Sequence, residues 1–179
     1  MTRAGRTFAA AVLAAGLALA VGANAAAAQA NLEYSVKANY LVRFAAFVTW
    51  QPRAFASAQA PVVICVAGRD PFGRSLDAAA RTQTAYGRPL AVRRLRDPAA
   101  VGGCHIVYVG RGGGAAIAAG QGQPSMLVTD EGAGADRGMV HFVLADGRVR
   151  FHIDQQQAGR NGLSVSSRLL NLALSVRPG

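Results

Sequence analysis

The chain has 179 residues, 51% of them hydrophobic, and a formal net charge of +10 at pH 7. That length suits one domain with a sizeable core. A surplus of positive charge points to nucleic acid when it is clustered, but here 18 Arg and the single Lys, Lys37, are dispersed among many Ala and Gly residues.

The first thirty residues read as a secretory leader. Arg3 and Arg6 form a basic head, Phe8 to Val21 is an unbroken apolar run, and Ala-x-Ala steps follow up to Ala28 and Ala30. This is the layout of a cleaved signal peptide, and the run falls short of the about 20 residues of a permanent span. The expected organisation is residues 1–30 as leader and residues 31–179 as the working domain, with cleavage after Ala30. Export makes a nucleic-acid partner the wrong expectation for the basic charge. Loss of Arg3 and Arg6 lowers the net charge from +10 to +8, a balance that favours an acidic partner surface or anionic lipid head groups and decides nothing alone.

Residues 34–49 have helical periodicity. Ser35, Asn39 and Arg43 form a polar stripe, and Val36, Tyr40, Leu41, Phe44, Phe47 and Val48 cover the rest. Trp50-Gln51-Pro52 ends the pattern. Six of the eleven aromatics beyond the leader lie between Tyr34 and Phe55, so this helix should pack on a sheet. Val62–Ala67 reads as a buried strand. After a turn at Gly68-Arg69, Asp70 is the expected cap of a helix with Pro71 in its first position and Phe72, Leu76, Ala79 and Ala80 inward. Pro89–Leu95, Cys104–Val109 and Ser125–Thr129 are further strands, and strands alternating with helical stretches point to a parallel or mixed sheet.

Residues 139–154 break that rhythm. Asp146-Gly147 suits a type I′ turn, which pairs Leu144 with Val149, Phe142 with Phe151 and Val140 with Ile153 on an apolar face. His141 then faces His152, and Val143 faces Arg150, on the other. From the Ser166 cap onward, Arg168, Asn171 and Ser175 form the polar stripe of a terminal amphipathic helix. Leu169, Leu170, Leu172, Ala173, Leu174 and Val176 form its buried side. The expected fold is a single-domain α/β arrangement, a mixed and largely parallel sheet flanked by helices, with a C-terminal antiparallel hairpin and helix.

Cys65 and Cys104 are the only cysteines. In an oxidising compartment they admit one intramolecular disulfide; two buried thiols are the alternative. Neither belongs to a CxxC pair, so zinc or thioredoxin-like chemistry is not expected. Gly110-Arg111-Gly112-Gly113-Gly114-Ala115 has dinucleotide-loop spacing, with Asp130 further on. It follows the wrong strand, however, and Gly120 and Gly122 cut short the helix after it, so a flexible glycine-rich connection is expected. His141, His152 and Asp154 share a face, but Arg150 beside them disfavours a cation, leaving a solvated, titrating pair. Cys104 and His105 are strand neighbours whose side chains diverge. No GxSxG, HExxH or paired helical carboxylates occur, so no catalytic residues, cofactor or metal are expected. A crevice at the strand ends lined by Asp70, Arg111 and Asp130 would be the alternative, a small-ligand binding protein.

Six ordered blocks carry a resemblance. Tyr34-Ser35-Val36-Lys37-Ala38-Asn39-Tyr40-Leu41-Val42-Arg43-Phe44 through Trp50 is the first, and Ile64-Cys65-Val66-Ala67-Gly68-Arg69-Asp70-Pro71-Phe72-Gly73 the second. Gly87-Arg88-Pro89, Cys104–Val109, Gly138–Phe142 and Gly162–Leu170 complete the set. Together they resemble YfiR-like proteins from about Tyr34 to Val176. The resemblance implies a periplasmic regulator without catalytic activity that restrains a membrane-bound diguanylate cyclase through its periplasmic sensor part, tuning cyclic di-GMP and biofilm formation. It also implies an outer-membrane lipoprotein able to sequester the regulator, with a second copy of the chain as a further candidate partner. Cys65 and Cys104 match the two cysteine positions of the pattern. Met139 and Asp146 stand in the hairpin region where some relatives carry a second pair. The Gly112–Gly114 run departs from the polar helix start usual there.

Overall fold

The computed structural model describes residues 28–179. The expected leader lies outside the described residues except for 28–30. By its contacts the chain divides into Met1–Tyr34 and Ser35–Gly179. Of the first unit, residues 28–34 are helical.

Eight strands form one sheet: β2 (Val62–Ala67), β3 (Thr84–Ala85), β4 (Arg88–Leu95), β5 (Ile106–Val109), β6 (Met126–Thr129), β7 (Val140–Ala145), β8 (Arg148–Asp154) and β10 (Ser175–Arg177). Their spatial order is β10-β8-β7-β6-β5-β2-β4-β3. The central neighbours β4-β2-β5-β6-β7 are all parallel, and the chain reverses its direction of travel across the sheet between β2 and β5. This is a doubly wound α/β architecture, mixed and largely parallel with helices on its faces, as the alternation of segments predicts. Central strands read as continuous apolar runs because both faces are covered: all four residues of β5 and of β6 are buried.

The first helix, α1 (residues 35–44 within this unit), is shorter than its sequence suggests. Tight turns from Ala46 N to Arg43 O (3.0 Å) and Phe47 N to Phe44 O (2.9 Å) end it. Val48–Thr49 becomes β1, antiparallel to β9 (Ser164–Val165). The β-branched pair is taken by a strand partner that lies more than a hundred residues away, which local periodicity cannot register. Of the expected apolar side, Leu41, Phe44 and Val48 are buried, whereas Val36 is exposed.

The hairpin β7–β8 has the predicted register at every pair, Phe142 opposite Phe151 and His141 opposite His152 included. Asp146 and Gly147 take φ of 51° and 70°, the left-handed pair a type I′ turn requires. Tyr40 and Phe44 of α1 close on the apolar side. Phe44 stacks on Phe142 with ring centroids 5.8 Å apart and meets Phe151 edge-on at 5.3 Å. Each buried ring contributes about 1.5–3 kcal/mol by leaving water, so this cluster anchors α1 on the hairpin.

Two further expectations are corrected. Asp70 does not cap the next helix. Its Oδ1 accepts from Phe72 N (2.7 Å) and Gly73 N (3.2 Å) in a side-chain turn, and α2 starts only at Arg74, running Arg74–Arg81 after Gly73 at φ 51°. Leu76 and Ala80 are buried and Ala79 half-buried, as its pattern predicts. The terminal helix is a single turn, α5 (Ser167–Leu170). The chain then donates Leu174 N to Phe151 O (2.7 Å) and lies parallel to β8, with Ser175 beside His152 and Val176 beside Ile153. An unpaired strand edge offers a row of backbone partners, and here it outcompetes helical continuation. Leu172 and Leu174 therefore end 56% and 45% exposed instead of buried.

Candidate functional site

Alternation along β2 and β5 sends Cys65 and Val107 to one face of the sheet and Ile64, Ile106 and Tyr108 to the other. On the first face Cys65, Ala67, Val101, Cys104, Val107, Val109, Ala116 and Leu127 form a buried cluster, under α3 (Ala115–Ala119). Within it the structure joins Cys65 to Cys104, Cα atoms 5.8 Å apart, across 39 positions of sequence. Arg93 on β4 donates to Gly102 O (2.6 Å) and to Cys104 Sγ (2.9 Å), fixing the turn that carries Cys104.

His105 does diverge from Cys104, and its environment escapes sequence reasoning. It is buried and stacked on Phe55 at 4.3 Å, with Arg88 3.9 Å above the other side of that ring system. Its Nδ1 accepts from Val63 N (3.0 Å), so Nε2 carries the proton donated to Ala54 O at 3.1 Å. The bond at Nδ1 requires the neutral ring, whereas the one at Nε2 is open to either form. Burial holds its pKa below the usual histidine value, the Arg88 charge acting in the same sense against the pull of the Ala54 carbonyl.

The glycine-rich segment is not a slack connection. Arg69 N donates to Arg111 O and Gly110 N to Ala67 O, each at 2.9 Å, so the loops after β2 and β5 bond directly to each other. A Cβ on Gly68, which sits at φ +81°, would lie 2.6 Å from both Arg111 O and Gly113 N. Glycine is required there for backbone approach, and α3 behind it has only five residues, too few for a dinucleotide-type helix. Here the loops at the point of strand reversal seal against one another.

The residues proposed to line a ligand crevice are likewise engaged. Asp70 Oδ2 accepts from Arg94 Nε at 2.9 Å; the same guanidinium grips Asp77 with two bonds of 2.7 and 2.6 Å. Arg94 holds the Asp77 carboxyl below its ordinary range against a small opposing effect of burial. Asp130 is buried with Lys37 and Tyr108, accepting from Lys37 Nζ at 2.7 Å and Tyr108 Oη at 2.8 Å on Oδ2, and from Gly132 N at 2.9 Å on Oδ1. Burial pushes this carboxyl up, but the Lys37 ammonium and the other donors outweigh it and hold its pKa low. Arg111 is exposed. Nothing in the sequence singled out Lys37; its isolation among apolar helix neighbours is the signal.

On the α1 side of the sheet lies an apolar groove of about 340 Å³. Tyr40, Phe44 and Phe47 form one wall, Leu169 and Leu172 the other, with Arg43 and Gln83 at the polar margin. Leu172 is brought to it because the terminal segment turns into a strand.

The histidine pair behaves differently from expectation. His141 is buried, 5% exposed, with Nδ1 2.9 Å from Thr129 Oγ1; His152 Nδ1 lies 2.6 Å from Ser175 Oγ. Among the described residues no group of three or more His, Cys, Asp or Glu is arranged to hold a metal. None of their helices is long and apolar enough to cross a membrane.

A family model described as YfiR/HmsC-like matches residues 34–174. The chain belongs to the YfiR/HmsC-like family. The match begins just before α1 and ends at Leu174, so it takes in the disulfide, the groove and the hairpin of this family member. A comparison with curated proteins finds no match.

Proposed function

We propose that this YfiR/HmsC-like chain is an exported regulator that binds the periplasmic part of a membrane-bound diguanylate cyclase and restrains it, lowering cyclic di-GMP and biofilm formation. It works by contact and performs no catalysis. Residues 1–30 are its leader and residues 31–179 its working domain. The observation that carries this reading is the family match over residues 34–174. Two physical features support a binding role. The groove beside Leu172 and the exposed Leu174 offer apolar surface to a partner, and the positive charge suits an acidic one. In that compartment the Cys65–Cys104 bond serves as a covalent brace. An outer-membrane lipoprotein that takes up the same surface would release the cyclase.

Affinity capture from detergent-solubilised membranes tests the reading, with Leu172→Asp and Leu174→Asp variants beside the native chain. The native protein should retain an integral membrane cyclase, and the double variant should lose it while unfolding at the same midpoint. Recovery of no integral membrane partner under either oxidising or reducing conditions overturns the proposal, as does an uncleaved chain found in the cytosol.

A further inference from the structure

The register that turns Phe142 and Phe151 toward α1 sends His141 and His152 to the opposite face. The buried cluster under α3 takes no residue from β7, β8 or β10. On that face the β7–β8–β10 corner instead bounds a cavity of about 420 Å³, lined by both histidines, Arg137, Asp154, Gln157 and Arg177. We propose that this cavity binds a tetrahedral oxyanion, a phosphate or sulfate group carried on an organic molecule.

The donor pattern carries the argument. Thr129 Oγ1 lies 2.9 Å from His141 Nδ1 and 3.4 Å from Val140 O, tying the His141 ring to β6. Ser175 Oγ lies 2.6 Å from His152 Nδ1 and ties that ring to β10. An imidazole ring has an N–H to donate at one nitrogen when neutral and at both when charged, so each histidine can serve an anion in the cavity. The Arg137 guanidinium has no hydrogen bond or ion pair among the described residues, its backbone carbonyl alone accepting from Gln157. Arg177 reaches Asp154 only at 3.4 Å and is 67% exposed in its side chain. Asp154 spends its other oxygen on Gln157 N. Two guanidinium groups and two histidine rings against one engaged carboxylate form an anion-binding set. The cavity of about 420 Å³ leaves room beyond the anion for an organic carrier.

Acidification should tighten binding. Burial keeps His141 below the ordinary histidine pKa, with Arg137 acting in the same sense and Asp130 and Glu131 opposing. Arg150 and Asp154 share the outer face of β8 with His152. At neutral pH the His141 ring is therefore uncharged, and on protonation it adds a positive charge facing the anion.

The test is titration of the full chain with sulfate and with glycerol 3-phosphate, read by the ring resonances of His141 and His152 and by the melting midpoint, with chloride controlling for ionic strength. Saturable shifts of both rings are expected, with affinity about tenfold weaker in Arg137→Gln and in His152→Gln. Sulfate keeps its charge across the range, so its affinity should rise from about pH 8 to about pH 5.5. Binding of phosphatidylglycerol vesicles that Arg137→Gln abolishes would assign the group to a lipid head; response to the free ester alone would assign it to a soluble metabolite. No saturable shift at millimolar anion, unaltered affinity in both variants, or displacement of the anion by zinc at the same rings overturns the proposal. The groove variants above leave this readout untouched, so the two readings fail separately.

Discussion

Reduction of the Cys65–Cys104 bond is the perturbation with the clearest magnitude. The bond closes a loop of 39 positions, and restricting an unfolded chain over such a loop is worth about 4 kcal/mol in the chain-entropy treatment. That is a large share of the about 5–15 kcal/mol by which ordinary domains are stable. Little of it is native-state packing, because both cysteines lie within one apolar cluster that reduction does not remove from the sequence. The effect acts through the unfolded ensemble, and two signatures follow. The thermal midpoint should fall by about 8–16 °C on reduction, and the denaturant slope m should rise, because an uncrosslinked chain exposes more surface. Urea unfolding of the native chain with and without reductant, beside Cys65→Ala/Cys104→Ala, measures both. The double variant and the reduced protein should agree within about 1 kcal/mol. A midpoint indifferent to reductant, in protein shown by mass to be bonded beforehand, would refute the entropic argument. Two free thiols in protein recovered from its own compartment would refute the brace itself.

Two other outcomes follow from local geometry. Gly68→Ala sets a Cβ against Arg111 O and Gly113 N at a left-handed φ and should cost about 1–3 kcal/mol. Gly102→Ala, with nothing within 4 Å of the new atom, should change stability by no more than about 0.5 kcal/mol; equal effects in urea unfolding would contradict the close approach of the two loops. His105 has a folded pKa below its unfolded one, so the unfolded state binds more protons between them. Stability should fall as pH drops from the unfolded value of about 6.5 toward the lowered folded value, and then level off for this group. Its replacement by Gln should flatten that part of the profile, and a slope unchanged by the substitution would show that other groups carry it.

Much of the architecture follows from patterns local in sequence. Strand runs such as Val62–Ala67 declare themselves by continuous apolarity, and the hairpin by an Asp-Gly turn whose required φ values dictate every pair from Val140–Ile153 to Ala145–Arg148. The family, too, was legible, because its blocks survive in order along the chain. The ends of elements were not: Val48–Thr49 and Ser175–Arg177 carry helical spacing yet become strands, because Ser164–Val165 and the open edge of β8 supply backbone partners from far along the chain. The same long-range pairing lifts Leu172 and Leu174 to the surface and sets Ser175 against His152. Sequence by itself determined which residues were apolar enough to be buried and which turns could form. Only the tertiary structure decided the company of Lys37, His105 and His141, because the environment of a polar group is made by elements distant in the chain, whose approach leaves no periodic trace.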